Sequence, residues 1–358
     1  MTHDTPRARL RFAMPRPVPP GLWRRVPPAI FPPILGAAGL ALAWLGGVRA
    51  FALPPALAEL MAGMVVAVAA FALLAYGVKL ARRPAVLAEE LSILPGRAGV
   101  GAAVLTVYLM AALVGALTNP AAGRALLVAG LLLHAVLLVV LVGVLRRGAP
   151  EQRRVTPAWH LNFTGPIVAA RAVLVLGWPG LAGWLVWPTA IAALAIYAVS
   201  LRQALSGRVP APLRPLLAIH LAPLALFGTV ALGLGWTAAG TALAWLALAV
   251  LLALAASARW LLADGFSPFW GALTFPAAAT AGLWVTLWSA VPSETHRIIA
   301  GTLLAAATLV VVPILFLVLR AWAQGRLAVK SNAAIAGPRG GRWTFPATRE
   351  KGNCQTSP

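Results

Sequence analysis

The stretch FSPFWGALTFPAAATAGLW, Phe266 to Trp284, is an apolar run of membrane-spanning length with Pro276 near its centre. Proline inside a helix removes a hydrogen bond and bends the axis. A large aromatic, Phe275, stands directly before it, and only small residues follow from Ala277 to Ala281. The rest of the chain decides how this run is read. Of 358 residues, 61% are hydrophobic and only 10% are charged, whereas about a quarter of a soluble domain is charged. The chain is therefore an all-α polytopic membrane protein, with room for about ten spans of roughly 20 residues.

Working outward from that run, the spans are expected at 27–47, 56–80, 98–117, 123–145, 157–176, 181–201, 213–235, 240–262, 267–288 and 298–320. The connectors are too short for a second folded domain. Residues 1–26, rich in Pro and Arg without an apolar signal core, and 324–358, rich in Gly, Ser, Pro and Arg, read as basic disordered tails around one membrane domain, 27–323. The formal charge of +21 would point to nucleic acid in a soluble protein. Here the positives sit between hydrophobic runs, so topology explains them. One set of loops holds Arg7 to Arg25, Lys79, Arg82, Arg83, Arg97, Arg146, Arg147, Arg153, Arg154, Arg202, Arg208, Arg214 and Arg259; the alternate set holds Arg49, Arg124 and Arg297. The positive-inside rule then puts both termini in the cytoplasm, which an even number of spans requires. Trp178, Trp184, Trp187, Trp236 and Trp288 fall near the outer ends, as an aromatic belt would.

Proline recurs in the odd-numbered spans, all of which run the same way: Pro33, Pro166, Pro223 and Pro276 each follow the start of their span by seven to ten residues. At about 1.5 Å per residue they lie at similar depth. The even spans mostly lack interior proline, Pro313 excepted. This is a weak repeat of about five helical hairpins. Small residues let helices approach closely, and carbonyls freed at proline need protein or water partners. The odd helices are thus expected as an inner ring and the even ones as an outer sleeve.

Ionisable groups inside the spans are few, and each marks function by default. Arg171 lies in the outer half of the fifth span; it either snorkels outward, pairing with Glu59, or attracts anions at the outer mouth. His134 in LLLHAVLL reads as a hydrogen-bonded packing residue. His220 in AIHLAP is a candidate to face the interior, and His160 begins the fifth span. Thr274 is a further polar candidate beside the ninth-span proline, and Asp264 is placed to cap that span. Haem ligation by His134 and His220 is the remote alternative. Neither a phosphate-binding GxxxxGK[ST] loop, nor HExxH, nor a nucleophile–base set occurs. The only cysteine, Cys354, is in the tail. An enzyme, a metal site or a resident cofactor is therefore not expected, and a conduit for small solutes is.

Five pieces in order, FPPILGAAGLALAW (31–44), RRPAVLAEELSILPGRAG (82–99), LNFTGPIVAARA (161–172), RPLLAIHLAPLALFG (214–228) and FSPFWGALTFPAAATAG (266–282), resemble the tellurite-resistance/C4-dicarboxylate transporter family, which includes the plant guard-cell slow anion channels. The resemblance implies ten helices as five tandem hairpins, the odd ones around a central pore, in a homotrimer with one pore per subunit. It implies transport of small anions (C4-dicarboxylate, tellurite- or sulfite-type oxyanions, halide or nitrate) across the bacterial inner membrane. A phenylalanine on the ninth helix plugs the pore in that family, and the matching position is Phe275. Many relatives carry an aromatic four residues earlier, whereas Trp270 stands five before, which leaves Phe269 as a second candidate. A proton-coupled dicarboxylate or sulfite exporter is the alternative, with His220 as its titrating group.

Overall fold

The computed structural model describes residues 22–337. Cys354, the tail before residue 22 and the tail after residue 337 lie outside it. All regular structure among the described residues is helical: α1 (Phe31–Ala50), α2 (Ala56–Arg82), α3 (Val86–Ser92), α4 (Leu94–Leu117), α5 (Pro120–Arg147), α6 (Trp159–Phe163), α7 (Pro166–Val175), α8 (Pro179–Ser206), α9 (Leu221–Gly233), α10 (Thr237–Ala256), α11 (Ala258–Leu261), α12 (Thr274–Ala290), α13 (Glu294–Ala323) and α14 (Arg326–Lys330).

Eight helices are long and apolar enough to cross a membrane. The two other runs expected to cross are interrupted. Residues 157–176 divide into α6 and α7 at Thr164–Gly165, and 267–288 begin as a 3-10 helix, Pro268–Leu273, before α12. Proline explains both breaks, and in a way the sequence did not predict. Pro32 and Pro33 lie in the first turn of α1, Pro166 begins α7, Pro223 is third in α9 and Pro276 third in α12. None kinks the middle of an α-helix. In a first turn the missing N–H has no partner to lose and the fixed φ suits the helix. What precedes is 3-10 in three cases, Pro28–Ile30, Ala211–His220 and Pro268–Leu273. The shared feature is a change from tight to α-helical winding. Prolines inside a helix occur instead in α8 (Pro188) and α13 (Pro313), so the even helices hold one more than the sequence reading allowed.

Burial separates two layers. The helices containing α1, α4 and α9 are 83%, 78% and 72% buried, while α2, α5, α8, α10 and α13 are between 17% and 28% buried. The buried set closes on itself: α1 packs on α4, α4 on α7, α7 on α9, α9 on α12 and α12 on α1. Each long exposed helix packs on the ring member before it, α2 on α1, α5 on α4, α8 on α7, α10 on α9 and α13 on α12. The outer surfaces carry large apolar side chains such as Leu57, Leu132, Ile191 and Leu309, as lipid-facing helices do. Trp184, Trp187 and Trp236 are exposed at the starts of α8 and α10.

The α1–α12 seam shows why the ring needs small residues. A Cβ on Gly36 would stand 2.3 Å from Thr274 Oγ1 and 2.9 Å from the Phe275 amide nitrogen. Thr274 is itself fixed there, donating to the carbonyls of Gly271 (2.7 Å) and Pro32 (3.1 Å). Gly36→Ala therefore overpacks the seam and is expected to cost about 1–3 kcal/mol, read as a lower unfolding temperature of the purified protein in detergent.

Two regions correct the sequence reading. The segment after α13 is not a disordered tail from residue 324 onward. Gly325 turns the chain in the left-handed region (φ 71°), α14 buries Leu327 and Ala328, and Arg24 and Ala336 exchange two hydrogen bonds, Ala336 N to Arg24 O (2.8 Å) and Arg24 Nη1 to Ala336 O (2.9 Å). Leu327 and the small residues after it supply the apolar face that a solvated tail would lack. Asp264 does not cap the ninth run; Ser267 does, its Oγ accepting from the Phe269 amide at 3.3 Å.

Candidate functional site

The starts of the ring helices surround a cavity. All members of the ring contribute to its wall: Pro32 and Leu35, then Ala98 and Leu105, then His160, Thr164, Gly165 and Val168, then Ala222, Pro223 and Leu226, then Phe269, Phe275 and Pro276. The wall is apolar except for His160 and Thr164, and it contains no charged side chain. The 3-10 turns and the α6–α7 break generate this space. Where the chain winds tightly or breaks, its helices cannot pack along their full length.

Phe275 is part of the cavity wall. It is 4% exposed, and its ring packs on Gly39, one turn beyond Leu35; a Cβ there would lie 3.1 Å from the Phe275 Cδ2. A glycine on α1 thus makes the seat for the ring, and Ala278 is the next neighbour of that seat. Phe269 also borders the cavity, in the 3-10 segment. Trp270 turns away, its Nε1 donating to Gly265 O at 2.8 Å.

Of the prolines expected to line the interior, Pro223 and Pro276 do. Pro33 does not: it packs under Gly271, and its neighbour Pro32 takes the wall position. Pro166 yields its place to Thr164 and Gly165. Thr274 is fully buried in the α1–α12 seam, outside the wall. His220 stands behind the wall, and His160 is the histidine that reaches it. The two rings share a hydrogen bond, His160 Nε2 to His220 Nδ1 at 3.0 Å. Thr164 donates to the His160 carbonyl at 2.7 Å, and the Tyr197 hydroxyl donates to the His220 carbonyl at 2.6 Å. His160 precedes Gly165 by five residues and stands beside the α6–α7 break. Its pairing with His220 joins segments 60 residues apart and was not legible in the sequence.

His134 is a packing residue, as expected. It lies between the Asn162 carbonyl (Nε2, 2.6 Å) and the Tyr108 hydroxyl (Nδ1, 3.1 Å). The two histidines of the haem alternative are thus held in separate clusters. Among the described residues no three His, Cys, Asp or Glu side chains gather as metal ligands would. Arg171 does not snorkel. It is 7% exposed, whereas Glu59 is exposed and makes no ion pair with it.

A ring of buried helices around an apolar cavity, sleeved by helices with lipid-facing surfaces, defines a multi-pass membrane transport protein. The chain belongs to the SLAC1 family, described as voltage-dependent anion channel, whose model matches residues 25–319. That match spans every ring helix and every residue of the cavity wall, and anion transport across a membrane is the function it assigns. No curated protein matches the sequence.

Proposed function

We propose that the chain conducts small anions along the axis of the ring and that Phe275 is the gate. The ten helical runs would each cross the membrane, as five hairpins with the cavity opening to the cytoplasm and both termini on that side. The asymmetry of positive charge supports this orientation. The family resemblance supports a homotrimer in the bacterial inner membrane with one pathway per subunit.

The observation that carries the reading is the seating of Phe275 on Gly39 in the wall of an uncharged cavity. An apolar constriction excludes water, so an ion loses hydration without replacement until the ring moves, which is gating by dewetting. An uncharged vestibule binds its ion weakly, which suits rapid passive flux. Chloride, nitrate, sulfite and dicarboxylates such as malate are the substrate class. The test is current or liposome flux of the purified protein under gradients of each, with reversal potentials giving the order of preference. A protein that carries none of them is not a transporter of this class.

A second reading, proton-coupled export of dicarboxylate or sulfite, draws support from one feature, the His160–His220 pair at the cavity wall. Its titrating group would be His160 together with His220. Flux abolished by a protonophore, without passive current, would favour it over the channel.

A further inference from the structure

Four charged side chains are buried among the described residues: Lys79, Glu90, Arg97 and Arg171. Lys79 and Glu90 pair with each other. Arg97 donates to the carbonyls of Leu91 (3.1 Å) and Gln152 (3.0 Å). Arg171 has neither kind of partner. Its Nη1 is completely buried without a hydrogen bond, and no ion pair among the described residues includes it.

Its position is on the line of the pathway. Thr164 and Val168 line the cavity, and Arg171 follows them at helical spacing on the same face. The guanidinium lies against Gly282 of α12; a Cβ on Gly282 would be 2.9 Å from Nη2. Gly282 is seven residues after Phe275, two helical turns along the same face and about 10 Å further at 1.5 Å per residue. A missing side chain on α12 therefore makes room for the charge, just as Gly39 on α1 makes room for the ring. Cavity, Phe275 and Arg171 follow one another in that order.

A buried guanidinium without a counter-charge is strongly unfavourable, and in a membrane segment such a group marks a function. The missing partner is an anion. We propose that Arg171 is an anion-binding site in the pathway, on the far side of Phe275 from the cavity, and that it prefers a planar oxyanion, nitrate or a carboxylate, to a spherical halide. The guanidinium fork matches two oxygens at once and a lysine ammonium does not. The proposal rests on the transport reading above and adds to it where the ion pauses and what selects it.

The test uses the full chain in liposomes, with Arg171→Gln and Arg171→Lys, and nitrate and chloride as the probes. Arg171→Gln is expected to raise the half-saturating nitrate concentration at least tenfold. Arg171→Lys is expected to keep chloride flux and to lower the nitrate-to-chloride permeability ratio several-fold. A conducting wild type, with half-saturation and permeability ratio unchanged in the variants, overturns the site and leaves the transport reading standing. If Arg171→Gln is not recovered folded, the ratio in Arg171→Lys decides alone. Should the wild type carry no anion, the transport reading fails and thermal unfolding in detergent decides the site. A nitrate-dependent rise in unfolding temperature that is lost in Arg171→Lys supports it, and no such rise in the wild type overturns it.

Discussion

Phe275→Ala is expected to raise anion flux at least tenfold over the wild type, measured as single-channel conductance or as liposome efflux per folded protein. Phe275 lines the cavity with its ring packed on Gly39, so under the gate proposed above its removal opens the axis toward Arg171. Water can then follow the ion, and the dewetting barrier goes with the ring. Truncating a buried phenylalanine also costs stability, about 3–5 kcal/mol, so flux is counted only for protein that remains monodisperse. Phe275→Leu keeps an apolar plug of smaller size and should fall between the two. Gly39→Ala works from the other side: its added methyl lies 3.1 Å from the ring, pushes the ring toward the axis and should lower flux in the wild type but not in Phe275→Ala. Equal conductance of wild type and Phe275→Ala would remove Phe275 as the gate, and Phe269→Ala would then be the variant to examine. Loss of conductance in Phe275→Ala with the fold intact would make the ring part of the path and not its plug.

The layers of the fold were legible because the membrane imposes them. Apolar runs had to be helices, and the prolines recurring in alternate runs set one helix class apart before any contact is known. The recurrence of prolines in alternate runs was legible too. Their effect was not. Pro166 and Pro276 read as kinks, but each stands where an α-helix begins after a break or a tighter turn; periodicity does not distinguish a bent helix from two joined segments. Choosing between Pro32 and Pro33, or between His160 and His220, needed the rotation of each segment about its axis, and 3-10 winding shifts that rotation away from the 3.6-residue period. Arg171 was left between two readings for a different reason. An arginine near a span end can reach the interface, and only the packing of α12 at Gly282 shows that this one stays inside. Lys79 was counted as a loop charge, because nothing in its own neighbourhood announces the carboxylate eleven residues on.

That carboxylate gives Lys79→Met a large expected effect on stability. Lys79 and Glu90 are both fully buried and form an ion pair where α2 ends and α3 begins. Lys79 Nζ also donates to the Val26 carbonyl at 2.7 Å, and the Tyr76 hydroxyl donates to Glu90. One cation thus ties the entry of α1, the end of α2 and the short α3 together. Removing it strands a carboxylate without water or counter-ion, and breaking a buried pair in this way costs about 3–5 kcal/mol. Burial already pushes the Glu90 carboxyl above its ordinary value of 4.5, with the Lys79 charge pulling it back. In the variant that pull is gone, so the folded state holds its proton to still higher pH than the unfolded chain does. A carboxyl raised on folding stabilises below its unfolded value, and that contribution is lost as pH rises through the folded one. Lys79→Met should therefore unfold at progressively lower temperature as pH rises from about 4.5, more steeply than the wild type. Replacing both partners, Lys79→Met with Glu90→Leu, removes the stranded charge and should recover much of the loss, because an apolar pair of similar volume is often as stable as a buried ion pair. A double variant no more stable than Lys79→Met would show that the loss comes from the Val26 and Tyr76 hydrogen bonds, and the ion pair would lose its place as the support of this corner.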